Sequence, residues 1–512
     1  MADIATAFTY HKASGKQSLE VTNPITVESL GHVPRHTAAD MIHAIEVARA
    51  AQPAWATLSY RQRAQVMIRF HDIILRDREE LYDVIQSESG KSRRDAFLEL
   101  FAVVCEARYY AYNGEKFLRP RHIKPAIFLR DRGKVLYQPW GVIGIISPWN
   151  FPFILGICDA IPALLAGNAV VSKPSSLTPF SAIWAHQKML EAGLPPEVLH
   201  MLTGPANELG EAMVEHVNYV MFTGSTATGK KIAEHCGRRL VPYSMELGGK
   251  NALLVLPDAD LKHSATVAIE GSFNNSGQVC INFERLYIHE KIYEPFKAEL
   301  VRQLDKVRLG SGHSFDYDIG SLISKDQLEA TETHVKDAIS KGATIVAGAK
   351  RRPDLGPYYY EPTVLENVAP NMTLYKEETF GPVISLYKFD TLDEAVRQAN
   401  ASRYGLHLGI CTSNLRAGER LAAKLEAGSV CINDSYMNWG AVDGPMGGYK
   451  ESGVFRRHGP EGLRKYAQPQ TILTNQTRLQ IGSMETALSI NQWLADVLVV
   501  LLRVWRYVPF LR

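Results

Sequence analysis

Cysteine is scarce in this chain. Six cysteines, Cys105, Cys158, Cys236, Cys280, Cys411 and Cys431, are spread over 512 residues with no Cys-x-x-Cys pair among them. That spacing excludes a disulfide framework and offers no zinc pattern, so no metal site is expected and any cysteine chemistry falls to a free thiol in a reducing compartment. A charge excess is also lacking. With 56 basic against 54 acidic residues the formal net charge is +2, which excludes a nucleic-acid-binding surface as the main business of the chain. The start, Met1 to Thr6, has no basic residues leading into an apolar run, so no signal peptide is expected and a cytoplasmic location follows. Tandem repeats and low-complexity linkers are absent, and no apolar run is long enough to span a bilayer.

What is present is a globular composition, 46% hydrophobic and 21% charged, in a chain too long for one core. Two large domains are therefore expected. From Ala38 to Lys91 the apolar residues recur at helical steps, as in Val66, Met67, Phe70, Ile73 and Ile74. After Leu136 the texture changes to short apolar runs alternating with helical stretches: Gly141 to Ser147, Ala169 to Ser172, Tyr219 to Thr223 and Ala252 to Leu256. Such runs, bounded by Gly, Pro and Asn, read as strands buried on both faces of a parallel, doubly wound α/β sheet. A second series, Arg285 to His289, Ile384 to Tyr387, Leu408 to Thr412 and Ser429 to Asn433, predicts a second α/β domain. The tail from Ser489 to Arg512 projects as an amphipathic helix, interrupted by Asp496 and Arg503. It suits packing against the body or a partner subunit; the flanking Trp, Tyr and Arg also suit a membrane surface.

Several short segments could carry chemistry. Cys280, beside Val279 and Ile281, has the surroundings of a small core residue. It also follows the turn-like Asn274-Asn275-Ser276-Gly277, where a thiol and its backbone N–H could both face a substrate. Glu246 precedes a double glycine and reads either as a surface partner of Lys250 or as a carboxylate beside a closely approaching ligand. Asn150, in Pro148-Trp149-Asn150-Phe151-Pro152, caps a turn or donates to an oxyanion at a strand's carboxyl end. Gly224 to Gly229 follows a strand and opens a helix, a plausible phosphate cradle. Lys173-Pro174-Ser175-Ser176 ends another strand, where a lysine could meet ribose or phosphate.

In this order, together with Glu378-Thr379-Phe380-Gly381-Pro382 and Pro445-Met446-Gly447-Gly448, these segments resemble the aldehyde dehydrogenase superfamily up to about residue 475. The resemblance implies Cys280 as nucleophile, Glu246 as general base and Asn150 as oxyanion donor beside the Cys280 backbone N–H. It implies a cofactor site of Trp149, Asn150, Lys173, Ser175, Ser176, Gly224, Ser225, Leu247, Glu378 and Phe380, for NADP or NAD. A Rossmann-like cofactor domain would span 1–117 and 139–245, a catalytic α/β domain 246–435, and a return to the cofactor domain 436–466. A small β oligomerisation element would take 118–138 and 467–485, ahead of the tail at 486–512. A homodimer or homotetramer, acting on a small-molecule aldehyde, is implied. Retention of Glu246 favours release of a free acid over transfer of the acyl group to coenzyme A.

Two departures bear on specificity. Ser176 stands where many NAD-preferring members carry a glutamate, and a hydroxyl tolerates a 2′-phosphate that a carboxylate would repel. In the Ile123-to-Trp140 region and at Arg456-Arg457-His458-Gly459 the chain resembles succinate-semialdehyde dehydrogenases most. Yet Cys158 and Asn274 stand where those enzymes carry the arginines that hold the substrate carboxylate. A succinate-semialdehyde-type activity is the expectation, with a medium- or long-chain or aromatic aldehyde as the alternative. Arg285 remains as an anchor of lesser promise. A catalytically silent relative is the alternative of another class, against which Cys280, Glu246 and Asn150 all argue.

Overall fold

The structure is a computed structural model that describes residues 17–123, 131–476 and 492–507. The start at Met1 to Thr6, part of 118–138, and parts of the segments 467–485 and 486–512 lie outside the described residues. The chain divides into two units, one of residues 1–118 with 139–468 and one of 119–138 with 469–512.

In the larger unit the helical stretch after Ala38 resolves into three helices, Ala38–Thr57, Tyr60–Arg76 and Arg78–Ser89. Thr37 with Asp40 and Ser59 with Gln62 form reciprocal capping boxes at the first two, satisfying N–H groups that a helix start leaves open. Val66, Met67, Phe70 and Ile74 are buried on the inner face of the second, as their spacing predicts. A long helix, Arg93–Leu118, packs on it.

Two sheets form the centre. The first runs 453–454, 243–246, 219–223, 142–146, 169–173, 199–201. All neighbours are parallel except the edge strand Gly453–Val454, which pairs antiparallel with Tyr243–Glu246. The strand order reverses between Val142–Ile146 and Tyr219–Thr223, the switch point where open α/β sheets receive ligands at the carboxyl ends of their strands. The second sheet runs 344–347, 363–366, 383–389, 283–289, 251–255, 407–411, 429–432, parallel but for its first pair. Its central strands, Asn251–Val255 and Phe283–His289, are buried along their whole length, and separate apolar clusters gather Leu253, Leu286 and Ile288 on one side and Leu254, Tyr287 and Ile410 on another. That double-sided burial explains why these strands read as unbroken apolar runs.

The smaller unit holds most of a three-stranded sheet in the order 467–475, 131–139, 121–123, the last two paired antiparallel. It also holds a helix, Gln492–Trp505, on which Trp493, Val500, Leu501, Leu502 and Val504 are exposed. No helix among the described residues is long and apolar enough to cross a membrane.

Candidate active site

The register of the first sheet levels its strand ends: Ile146 lies opposite Lys173 and Phe222, and Thr223 opposite Glu246. The loops that follow, carrying Trp149 and Asn150, Gly224 and Ser225, and Leu247 and Gly248, therefore emerge on one side. Only four residues separate Glu246 from the second sheet, where Asn251 pairs with Phe283. Cys280, three residues before Phe283, is brought to the same place from the other direction.

These elements enclose a cavity of about 270 Å³. Cys280, Glu246 and Asn150 line it together, and so do Trp149, Gly224, Ser225, Leu247, Glu378 and Phe380. Lys173, Ser175 and Ser176 stand outside its lining. Asn150 and Glu246 are buried, whereas Cys280 is the one residue between Asn275 and Phe283 that keeps a partly open surface. The core-cysteine alternative thus describes Val279 and Ile281 but not Cys280. The pairing of Glu246 with Lys250 does not occur, because the Lys250 ammonium is bonded to the buried carboxylate of Glu284. Glu284 also accepts the N–H groups of Thr379 (2.9 Å) and Phe380 (3.1 Å), which fixes the loop that presents Glu378 and Phe380.

The turn before Cys280 is held in a costly shape. Asn275, Ser276 and Gly277 have φ of 49°, 55° and 71°, three successive residues in the left-handed region. At Gly277 a Cβ would come within 2.2 Å of the Gly381 carbonyl oxygen, so no other residue fits. The Asn150 amide donates to the Gln278 carbonyl (3.0 Å), leaving the second hydrogen of its NH₂ group for another acceptor. On the far side, the Asn251 amide donates to the carbonyls of Cys280 (2.8 Å) and Asn282 (2.9 Å).

Burial dominates the electrostatics. It pushes the Cys280 thiol up to about 12, reinforced by the carboxyls of Glu378 and Glu246, so the resting thiol holds its proton at neutral pH. Burial also raises Glu246 to about 7, with Arg457 and Lys465 opposing it. Glu378 rises to about 8 through burial and the neighbouring Glu284, against the N–H of Gly249 that it accepts at 2.9 Å. A thiol, a carboxyl that titrates near neutrality and an amide donor therefore share one enclosure, the set that covalent acyl chemistry requires.

The cradle for a dinucleotide fits too. Ser225 caps the helix Thr226–Arg239, whose N-terminus opens at the cavity and favours anions. Lys173 is buried at its strand end, its ammonium pushed down to about 8 by burial and donating to the adjoining Pro174 carbonyl (3.0 Å), which leaves it further donors. Ser176 donates its hydroxyl to the Gly204 carbonyl (3.0 Å), and the Ser175 hydroxyl accepts the Leu177 N–H (3.2 Å). The Trp149 and Phe380 rings meet edge to face at 5.5 Å.

A second cavity, of about 420 Å³, is lined by Phe151 and Val279, the sequence neighbours of Asn150 and Cys280. Leu98, Phe101, Ile154 and Trp439 make it apolar; Asp95 and Asp434 are its charged members, and none of its described lining residues is Arg, Lys or His. Asn274 reaches this lining. Cys158 does not: it is fully buried, its sulfur 3.7 Å from the Asp159 carboxylate. Arg285 is absorbed by the fold, donating to the carbonyls of Lys250 (2.8 Å), Gln398 (3.1 Å) and Ala399 (3.1 Å).

Arg457 was not legible as a site residue. It lines the first cavity, and its guanidinium bonds Asp159 (2.5 Å) and Thr223 (3.0 Å), partners 298 and 234 positions away that no local spacing announces.

Comparison with known proteins supplies independent bearings. Residues 10–472 match the model of the aldehyde dehydrogenase family. The chain is 45% identical over 450 residues to "Putative succinate-semialdehyde dehydrogenase [NADP(+)] 2" of Mycobacterium tuberculosis, covering 88% of this chain and 87% of that one. It is 34% identical to "Succinate-semialdehyde dehydrogenase, mitochondrial" of Oryza sativa subsp. japonica, over 88% of this chain and 85% of the relative. Among solved structures, an NAD-dependent aldehyde dehydrogenase from Sinorhizobium meliloti superposes with a TM-score of 0.89 at 33% identity, covering 93% of this chain and 95% of the other.

Proposed function

The chain belongs to the aldehyde dehydrogenase family and catalyses NAD- or NADP-dependent oxidation of an aldehyde, and we propose that it does so through a thioester on Cys280 that is hydrolysed to a free carboxylic acid. The observation that carries this reading is the convergence of Cys280, Glu246 and Asn150 on one cavity. Glu246, with a pKa near 7, takes the thiol proton, directly or through water, as sulfur adds to the aldehyde carbonyl. The Asn150 amide and the Cys280 backbone N–H hold the oxyanion, each such donor being worth about 3–4 kcal/mol in rate. Bound NAD or NADP would supply the hydride acceptor that this oxidation needs. Glu246 then activates the water that cleaves the thioester. Trp149, Lys173, Ser175, Ser176, Gly224, Ser225, Leu247, Glu378 and Phe380 would hold the cofactor, and Ser176 supports a preference for NADP.

Two substrate readings stand beside each other. The names of the relatives support succinate semialdehyde. The apolar second cavity, without a cation to meet a carboxylate, supports an uncharged medium-chain or aromatic aldehyde. Steady-state kinetics on succinate semialdehyde, hexanal and benzaldehyde with both cofactors decide between them. A kcat/KM for succinate semialdehyde about tenfold or more above the other two sustains the first reading, and the reverse order replaces it.

The same proposal assigns 1–117, 139–245 and 436–466 to cofactor binding and 246–435 to catalysis. It assigns 118–138 and 467–485 to assembly as a homodimer or homotetramer, in the cytoplasm. The exposed Trp493, Leu501 and Leu502 support a role for the tail in subunit packing or in weak contact with a membrane surface.

A further inference from the structure

Three ionisable residues outside the reacting set stand at four-residue steps around the start of the long helix Arg93–Leu118: Lys91, Asp95 and Glu99. All three are buried, at 0%, 2% and 0% exposure. The Lys91 ammonium bonds Glu99 at 2.5 Å and donates to the Asn150 carbonyl at 2.8 Å. The other oxygen of Glu99 accepts the N–H groups of Phe153 (2.9 Å) and Ile154 (3.1 Å). Asp95 accepts the N–H of Asn275 at 3.1 Å, inside the left-handed turn before Cys280. The Asn275 amide closes the circuit, donating to the Asn150 carbonyl (2.9 Å) and the Gln278 carbonyl (3.2 Å).

We propose that Lys91, Asp95 and Glu99 are positioning residues that hold the Asn150 segment in register with the Cys280 loop, so that both oxyanion donors point at one site. The proposal rests on the reading of Asn150 as an oxyanion donor. A buried ion pair is a poor source of stability, since apolar residues of similar volume commonly do as well. What this one supplies is direction. Apart from the Lys91–Glu99 pair itself, every hydrogen bond named above ends on a backbone group of 150–154 or 275–278, the segments flanking the chemistry, and an offset of about 1 Å there costs about 10²-fold in rate. Asp95 and Glu99, four apart, share one face of the helix, and Lys91 stands in the short segment just before its start, so one helix end and its lead-in set both loops.

The test is a double-mutant cycle on the full-length enzyme. Lys91→Met with Glu99→Gln replaces the pair by uncharged groups of similar size and leaves no lone charge buried. It is expected to lower kcat about 10²-fold, with unchanged cofactor KM and unchanged alkylation of Cys280 by iodoacetamide. On an Asn150→Ala background, itself slower by about 10²-fold, the same pair is expected to add no more than about threefold. A full multiplicative loss on that background would show that the ladder acts elsewhere, and would overturn the proposal while leaving the Asn150 reading intact. Near-wild-type kcat for Asn150→Ala would sink that reading and the proposal with it. Asp95→Ala, which acts on the other loop through the Asn275 N–H, provides the same cycle should the first pair fail to fold.

Discussion

Two cavities flank the segments Asn150-Phe151 and Val279-Cys280, one lined by Asn150 and Cys280 and the other by Phe151 and Val279, and they are built on opposite principles. The first is lined by glycines, carboxyls and amides, and its two carboxyls are displaced toward neutrality by burial: Glu246 to about 7 and Glu378 to about 8. The second is lined by Phe101, Phe151, Ile154, Val279 and Trp439, with no cation among its described lining residues. Chemistry needs each donor and acceptor within tenths of an ångström, so the first cavity is fixed by hydrogen bonds that reach across the whole unit. An apolar wall discriminates by shape, at about 1–3 kcal/mol per methylene, and tolerates variation in the residues that form it. The reaction is therefore far more tightly specified by the structure than the aldehyde.

That contrast can be broken at three places. Glu246→Gln should slow steady-state turnover by about 10²–10⁴-fold and slow the first turnover's burst of reduced cofactor as well, since the same carboxylate takes the thiol proton and activates the water. Because the base works as the carboxylate, wild-type activity should rise as pH rises through about 7, and the variant should lose that limb. Rapid-mixing and pH–rate measurements check both, and wild-type steady-state turnover in the variant would remove Glu246 from the mechanism. In the second cavity, Asn274→Arg introduces the missing cation. The ratio of kcat/KM for succinate semialdehyde to that for hexanal should rise by about tenfold or more, and a constant ratio would mean that a carboxylate is anchored elsewhere. The smallest expected effect is at the cofactor. Ser176→Glu should lower kcat/KM for NADP about tenfold with little change for NAD, by repulsion between carboxylate and phosphate. Equal losses for both would place Ser176 outside the 2′-phosphate's reach.

Much of the fold was legible because burial on both faces leaves a plain trace. Tyr219–Thr223 falls where its apolar run ends, and the other anticipated strands differ by a residue or two at their ends. The antiparallel edge at Gly453–Val454 was not legible, since two residues paired to Glu246 and Met245, far earlier in the chain, carry no period of their own. Within the site, Cys280, Glu246 and Asn150 stand in short motifs with glycine or proline neighbours that force close backbone approach, and those neighbours are visible in sequence. Lys91, Asp95, Glu99 and Arg457 resemble ordinary surface charges until the fold buries them. Cys158 shows the reverse: the alignment of motifs suggested a specificity position, and the helix turned its side chain into the core.

By itself the sequence determined the family, the order of the sheet strands' apolar runs and the three residues offered for chemistry, because each depends on residues close together in the chain. Only the tertiary structure decided that those three share a cavity, that burial displaces Cys280 and Glu246 from their ordinary protonation, and that a lysine just before one helix and two acids on it reach the loops on either side of the site. Protonation and positioning depend on what surrounds a group in space, and here those surroundings come from segments separated by tens to hundreds of residues.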